Sequence, residues 1–179
     1  EKKSKSKFSQ YFLSIVAFIE SIFFPIPPDL ILIPIVYFNP NKFLVTALNC
    51  TIFSVIGGAF GYFIGYFIFE AVQSYFDMSK QTEFINFYND WGIFAVFLGG
   101  FTPIPYKIIA LTSGYSQFNF IYFIFLSVLS RGLRFFIIAF IIKQFGDIGM
   151  QILKRNKLLI FVLIPIGIVF LIYLLFYHD

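Results

Sequence analysis

Five ionisable side chains occur inside segments that are otherwise apolar: Glu20, Asp29, Lys107, Arg131 and Arg134. An ionisable group in the interior of a bilayer costs at least about 2.5–3.5 kcal/mol, so each such group is by default a functional residue that needs a partner. Arginine binds a phosphate through paired hydrogen bonds, lysine binds it as a point charge, and carboxylates exchange protons. These five residues therefore predict a binding site for an anionic headgroup and for protons.

The same residues allow other interpretations. Arg131 and Arg134 can serve only to neutralise Glu20 and Asp29 as structural ion pairs. Glu20 can instead lie at the cytoplasmic interface, because the sequence does not fix how deep its segment enters the membrane. Asp29 is also a candidate partner for Lys107. An intramembrane hydrolase would need two facing carboxylates, for which Glu20 and Asp29 form a poor pair.

Other kinds of chemistry find little support in the sequence. It contains no G-x-S-x-G and no H-E-x-x-H motif, and its single histidine is His178. The single cysteine, Cys50, permits no intrachain disulfide. A nucleic-acid-binding surface would have its basic residues in a stripe with aromatic stacking positions. The basic residues behind the formal charge of +4 are not arranged in this way. We therefore expect no enzyme activity, no metal, no cofactor and no nucleic-acid partner.

The composition is that of an integral membrane protein. Of 179 residues, 59% are hydrophobic and 12% are charged, whereas soluble domains are typically about 45–50% apolar and about 25% charged. The segments 43–69, 118–142 and 158–177 each reach the roughly 20 residues that a membrane-spanning helix needs. The apolar segments 8–38 and 91–115 are each interrupted near the middle by prolines, which break helices.

The distribution of charge predicts how these segments cross the membrane. Residues 1–7 carry four Lys and one Glu, residues 143–157 carry four bases and one acid, and residues 70–90 carry four acids and one base. By the positive-inside rule, the basic segments and the N-terminus are cytoplasmic and 70–90 is an external loop. Segment 8–38 then begins and ends inside, and segment 91–115 begins and ends outside. Each is predicted to be a re-entrant hairpin.

The two hairpin tips share the pattern P-I-P-x-charge. The tip prolines are Pro25, Pro27 and Pro28 in the first hairpin, and Pro103 and Pro105 in the second. A hairpin followed by a spanning helix thus occurs twice in opposite orientation, as in many transporters with inverted repeats. The sequence predicts one all-α membrane domain over 1–179, an inverted repeat of re-entrant hairpin plus transmembrane helix, with an additional C-terminal transmembrane helix.

A glycine repeat lies in the first predicted span. Gly57, Gly61 and Gly65 form a doubled G-x-x-x-G pattern, which allows helices to approach closely in lipid. Contact with a hairpin of the same chain is favoured over homodimerisation. The alternative is that these are merely small residues of a membrane helix, where glycine is common.

Several motifs together resemble one membrane protein family. They are Glu20 followed by FFPIPPD, the G-x-x-x-G-Y run from Gly57 to Tyr62, and GGFTPIPYKIIALTSGY leading to SRGLRFF. This combination is similar to the DedA family, also called the VTT or SNARE-associated family, and most closely to its YqaA-like subgroup. The similarity extends over residues 14–146.

The resemblance implies two opposed re-entrant hairpins and a role in moving lipids across the bilayer. It places the essential acidic pair of the family at Glu20 and Asp29. Many members have two arginines beside a proline of the second hairpin, where this chain has only Lys107, and an arginine at the position of Tyr66. The expected function is a transporter or scramblase of anionic lipid, such as undecaprenyl phosphate or a phospholipid, with proton coupling, in the bacterial inner membrane. A non-transporting scaffold for envelope integrity is the alternative.

Overall fold

The computed structural model describes residues 2–22, 27–72, 78–102 and 105–155. These residues form six α-helices and one 3-10 turn, Pro40–Lys42, and the described ranges contain no strand. The helices are α1 (Lys2–Ile22), α2 (Asp29–Phe38), α3 (Phe43–Val72), α4 (Met78–Phe101), α5 (Tyr106–Tyr115) and α6 (Phe120–Arg155). The prediction of an all-helical chain is therefore confirmed for these ranges. Pro25, Pro103 and the expected helix over 158–177 lie outside the described residues.

Two helices are long and apolar enough to cross a membrane. One runs over Pro40–Ala71 and has 32 residues, and the other runs over Phe120–Ile148 and has 29. They overlap the predicted spans 43–69 and 118–142, and the second extends six residues further toward the C-terminus. Large apolar side chains on the surface of the first include Ile52, Ile56, Phe60, Phe63, Phe67 and Ile68, and on the second Ile121, Phe125, Val128, Leu129 and Phe140. A surface of this kind is suited to lipid rather than to water.

The predicted loop 70–90 is helical wherever it is described. Helix α3 extends to Val72, and residues 78–90 form the first half of α4. The extension of α4 is held by aromatic packing: the rings of Phe84 and Tyr115 lie 6.1 Å apart, and those of Tyr88 and Phe118 also lie 6.1 Å apart. Tyr88 in addition shares a 2.8 Å hydrogen bond with Ser113 of α5. Four acidic residues suggested a loop, but one face of this segment packs against α5.

The last proline of each proline motif directly precedes a helix. Pro28 precedes α2 and Pro105 precedes α5. Proline suits the start of a helix because the first backbone N–H groups have no partner within the helix. The carbonyl of Pro28 accepts hydrogen bonds from the backbone N–H groups of Ile31 and Leu32, and that of Pro105 accepts one from Ile108. Each predicted hairpin segment thus contains parts of two described helices, one before its proline motif and one after it.

The second helix of each pair packs against the long helix of the other half. Helix α1 packs on α3 and α4 packs on α6, whereas α2 packs mainly on α6 and α5 packs extensively on α3. At the α3–α5 contact, a methyl group at Gly114 would clash with the backbone of Tyr62. At the α2–α6 contact, the Tyr37 hydroxyl donates a 2.6 Å hydrogen bond to Asp147. The halves of the chain are therefore interlocked.

The two ends of the molecule differ in the residues that they gather. At one end, Lys143 of α6 lies 4.0 Å from the ring centroid of Phe43, beside the 3-10 turn. At the other end, Tyr115 contacts both Phe69 of α3 and Phe84 of α4. The first end carries the predicted cytoplasmic turn and the start of the basic segment. The second end carries the described parts of the acidic segment.

Helix α6 has a kink near the first end. Gly146 has φ 49° and ψ −116°, a left-handed conformation that favours glycine. At its other end, α6 is capped by Asn119, whose side-chain oxygen accepts hydrogen bonds from the backbone N–H groups of Ile121 (3.0 Å) and Tyr122 (3.2 Å).

Candidate functional site

A buried arginine joins three helices in the middle of the molecule. Arg131 of α6 is 2% exposed, and its Nη2 donates a 2.7 Å hydrogen bond to Oε2 of Glu20 on α1. Its Nε donates a second 2.7 Å hydrogen bond to Oγ of Ser54 on α3. Such charge-assisted hydrogen bonds offset part of the desolvation of each buried charge.

Two serines complete the surroundings of this ion pair. The hydroxyls of Ser21 and Ser54 lie 2.8 Å apart, across the contact between α1 and α3. Ser21 Oγ also lies 3.5 Å from Arg131 Nη2 and 3.4 Å from Oε2 of Glu20. The close approach of the helices depends on Gly57, since a methyl group there would meet the carbonyl oxygen of Phe18. The glycine thus brings the serines within hydrogen-bonding distance.

Two aromatic rings lie close to the guanidinium of Arg131. Its Cζ lies 4.7 Å from the ring centroid of Tyr106 and 5.0 Å from that of Phe135. Tyr106 is fully buried, and its hydroxyl donates a 2.6 Å hydrogen bond to Ser127. A methyl group at Gly58 would lie 2.5 Å from that hydroxyl, so the glycine leaves the space that Tyr106 occupies. Cation–π contacts of this kind are worth about 2 kcal/mol or more when they are desolvated.

A second ion pair lies next along α6. Arg134 Nη2 binds Oδ2 of Asp29, the first residue of α2, and Arg134 Nη1 donates a 2.8 Å hydrogen bond to the carbonyl of Thr102. Thr102 directly follows α4, so this arginine joins the neighbourhoods of both P-I-P motifs. Asp29 is only 1% exposed, and its Oδ1 has no hydrogen-bond partner among the described residues. This oxygen is therefore not used by any residue that the structure describes.

The structure brings four of the five predicted charges together as two ion pairs. Glu20 pairs with Arg131 and Asp29 pairs with Arg134. The partner of Asp29 is thus an arginine rather than Lys107, because α2 packs against α6 and not against α5. Lys107 lies half-buried in the first turn of α5, one residue after the Tyr106 ring that faces Arg131.

Sequence reasoning missed the uncharged members of this site. Ser21, Ser54, Tyr106, Thr102 and Ser127 all contact an arginine or the ring beneath it. Two signals were available in the sequence. Ser21 follows Glu20 directly, and Ser54 lies one helical turn before Gly57, on the face that packs against α1.

The three glycines of the repeat all face helices of the predicted hairpins. A methyl group at Gly57 would meet α1, one at Gly61 would lie 3.1 Å from Ala110 of α5, and one at Gly65 would meet the Leu111 carbonyl of α5. The glycine face of α3 is therefore covered within this chain.

Comparisons with known proteins give the family. The VTT domain matches residues 24–144. The chain is 39% identical over 140 residues to an uncharacterized protein of Haemophilus influenzae, covering 76% of this chain and 73% of that protein. It is 38% identical over 137 residues to an uncharacterized protein of Histophilus somni, with coverage of 74% and 72%.

A third relative is an uncharacterized protein of Methanocaldococcus jannaschii, 28% identical over 133 residues that cover 73% of this chain and 82% of that protein. No solved structure matches the chain. The matched VTT domain contains Asp29 and Arg134, which form the second ion pair. It also contains Arg131 of the first pair, whereas Glu20 lies before its start. Together with its apolar helices, this match identifies the chain as a membrane protein that belongs to the VTT-domain, or DedA, family.

Proposed function

We propose that this protein moves anionic lipids across the bacterial inner membrane, as a transporter or scramblase. The observation that carries the proposal is the pair of buried arginine–carboxylate bridges that join α6 to α1 and to α2, the two helices that the first P-I-P motif separates in the sequence. A structure that needed only packing would place apolar residues there at no cost in desolvation. Retaining four charges is reasonable if the arginines exchange their carboxylates for a lipid phosphate during transport.

The hydrogen-bonding capacity that remains at the site supports this exchange. Arg131 uses Nε and Nη2 for Ser54 and Glu20, and its Nη1 donates no hydrogen bond to a described residue. Glu20 is 14% exposed, so it is more accessible than its arginine. In the proposed step, Glu20 takes up a proton, its attraction to Arg131 weakens, and the guanidinium turns its donors to the phosphate. Protons thereby couple to lipid movement.

The proposed architecture is an inverted repeat of two opposed re-entrant hairpins, with the N-terminus in the cytoplasm. It is supported by the reciprocal packing, in which α2 lies on α6 and α5 lies on α3. It is also supported by the placement of the acidic and basic segments at opposite ends. In this arrangement the short helices α2 and α5 would approach the site from opposite faces of the membrane.

Reconstitution into vesicles tests the proposal. Phosphatidylcholine vesicles that contain a headgroup-labelled phosphatidylglycerol are treated with an impermeant quencher. Wild-type protein should allow the label of both leaflets to be quenched. Arg131→Gln should slow this movement roughly 10–100-fold, because a hydrogen bond to a charged group is worth about 1.5–3 kcal/mol.

The matched control is Lys143→Gln, which removes an exposed cation outside the site and should leave the rate unchanged. If wild-type protein leaves the inner leaflet protected, or if Arg131→Gln flips lipid at the wild-type rate in a folded protein, the proposal is wrong.

A scaffold is the second candidate function. It is favoured by one observation, namely that each buried carboxylate already has an arginine partner in the structure. A scaffold predicts that Asp29→Asn and Glu20→Gln alike lower the thermal stability in detergent together with any activity. Transport predicts instead a variant that stays folded but no longer moves lipid. Glu20→Gln is the best candidate for this result because Glu20 is partly exposed.

A further inference from the structure

A groove opens between α1 and α3, apart from the ion pairs. Its volume is about 410 Å³, within the range of about 300–1,000 Å³ for small-molecule sites. Gln10 and Ser14 of α1 line one side, and Val45, Asn49 and Phe53 of α3 line the other, with Lys42 at the end nearest the 3-10 turn. None of these residues contacts Arg131 or Arg134 in the hydrogen bonds and ion pairs of the described site.

The middle of the groove presents unused hydrogen-bond donors. Gln10 Nε2 donates one hydrogen bond of 2.7 Å to Thr46, and Asn49 Nδ2 donates one of 3.2 Å to Gln10 Oε1. An amide nitrogen carries two N–H groups, so each of these residues has a second donor that no described residue accepts. Unsatisfied donors that face lipid are costly, which favours a ligand with acceptor oxygens.

The groove changes from polar to apolar along α3. Lys42 is exposed at one end, Asn49 lies in the middle, and Phe53 is 38% exposed at the other end. Eleven residues separate Lys42 from Phe53, which is roughly 16 Å along a helix. Along the groove a cation, then amide donors, then an aromatic side chain are the successive partners of a phosphate, an acyl ester and an acyl chain, and Val45 adds an apolar contact between Lys42 and Asn49.

The charge of this end of the molecule favours an anionic ligand. Lys42 lines the groove itself and α1 begins in the sequence KKSKSK at the same end, whereas Lys143 lies over the ring of Phe43, outside the groove. Helices α1 and α3 run side by side, with Gln10 beside Thr46 and Phe18 beside Gly57, so both start at this end. Lysines near a membrane surface attract anionic lipid by about 1 kcal/mol each.

We propose that this groove binds one anionic phospholipid as a resident ligand. Its phosphate lies at Lys42, an ester oxygen accepts hydrogen bonds from Gln10 and Asn49, and one acyl chain extends over Phe53. The site does not depend on the transport proposal, since a lipid can remain bound in the groove without crossing the bilayer.

Native mass spectrometry of the delipidated full-length protein tests the site. Dioleoyl phosphatidylglycerol and dioleoyl phosphatidylcholine are titrated separately in detergent. The wild type should bind one phosphatidylglycerol about fivefold more tightly than phosphatidylcholine, and Lys42→Gln should abolish this preference. Asn49→Leu should weaken both lipids about 2–10-fold, because both carry the ester oxygen. Lys143→Gln is the control and should retain most of the preference.

Three outcomes would overturn the proposal. The first is equal affinity of the wild type for the two lipids. The second is an equal loss in Lys42→Gln and Lys143→Gln, which would indicate a diffuse surface charge rather than a site. The third is a disulfide between two copies of a Cys50→Ala, Phe53→Cys protein in a bilayer, since a second chain would then cover the groove. Circular dichroism of each variant establishes that it is folded, and lipid flipping is not part of the measurement.

Discussion

At the scale of single residues, the carboxylates of the two ion pairs differ in how far water reaches them. The Asp29 side chain is 1% exposed and that of Glu20 is 14% exposed. An uncompensated charge costs more where water cannot reach it. We therefore expect the pair of Asp29 and Arg134 to contribute mainly to the fold, and the pair of Glu20 and Arg131 to be the one that opens.

Removing each arginine in turn tests this difference. Arg134→Gln should destabilise the protein by about 3–5 kcal/mol, the usual effect of breaking a buried pair, because Asp29 keeps its charge without its partner. Arg131→Gln should lower the melting temperature in detergent by less. Adding Asp29→Asn to Arg134→Gln should restore part of the lost stability. Equal losses in the two single variants would contradict the assignment.

Tyr106 is predicted to position Arg131 through its ring. Tyr106→Phe keeps the ring beneath the guanidinium and loses only the hydrogen bond to Ser127, so lipid movement should remain near the wild-type rate. Tyr106→Leu removes the ring, and a cation–π contact of about 2 kcal/mol corresponds to a loss of roughly 30-fold. Rates in vesicles and melting temperatures should be measured on both variants. A larger loss of rate in Tyr106→Phe than in Tyr106→Leu would contradict the prediction.

The charged residues of the site could be predicted from the sequence, but their pairing could not. Charges within apolar segments are conspicuous because lipid excludes them. The partner of Asp29 depends on which long helix α2 packs against, and proline motifs alone do not determine this contact. Ser54 and Ser127 could not be recognised from the sequence. A serine within a membrane helix commonly forms a hydrogen bond with the backbone of its own helix, so its presence does not indicate a binding site.

At the scale of elements, α3 is the helix that the others approach most closely. Gly57 faces α1, whereas Gly61 and Gly65 face α5. The glycine spacing predicted contacts of this kind, because small residues allow backbones to approach. The spacing alone did not predict that two different helices pack against the same glycine face of α3.

Alanine substitutions along the helices measure this close packing. At Gly65 a methyl group would clash with the Leu111 carbonyl, a backbone atom that cannot rotate away. Gly65→Ala should cost about 1–3 kcal/mol and lower the melting temperature by roughly 2–10 °C. Gly132→Ala is the control, because its methyl group would lie 3.6 Å from Thr51, an ordinary contact. Similar melting temperatures for both variants would contradict the packing.

The boundaries of the elements could be predicted where composition changes abruptly. The two long helices and the interruptions at the proline motifs correspond to clear changes in the sequence. The helix over 78–90 could not be predicted in this way, because its acidic residues suggested a solvated loop. Its stability comes from rings such as Phe84 and Tyr88, whose partners at 115 and 118 are far away in sequence.

At the scale of the whole molecule, the two ends carry different segments. One end carries the turn Pro40–Lys42 and the residues before the kink of α6, and the other end carries the first part of α4. The expected orientation places the first end in the cytoplasm. In a Cys50→Ala background, Glu83→Cys should react with an impermeant maleimide on intact spheroplasts. Asn41→Cys should react only after permeabilisation. Both positions are exposed, so a reversed pattern would show that the orientation is wrong.

The interlocked packing of the two halves has a consequence for biosynthesis. Asp29 is translated 105 residues before its partner Arg134. At about 5–20 residues per second, the carboxylate waits roughly 5–20 s for the arginine that offsets its burial. The surface of α3 that receives α5 stays uncovered for much of that time. Helices α1 and α2, the predicted first hairpin, are therefore expected to remain close to the insertion machinery or the membrane surface, and to reach their final depth only after α6 has been made.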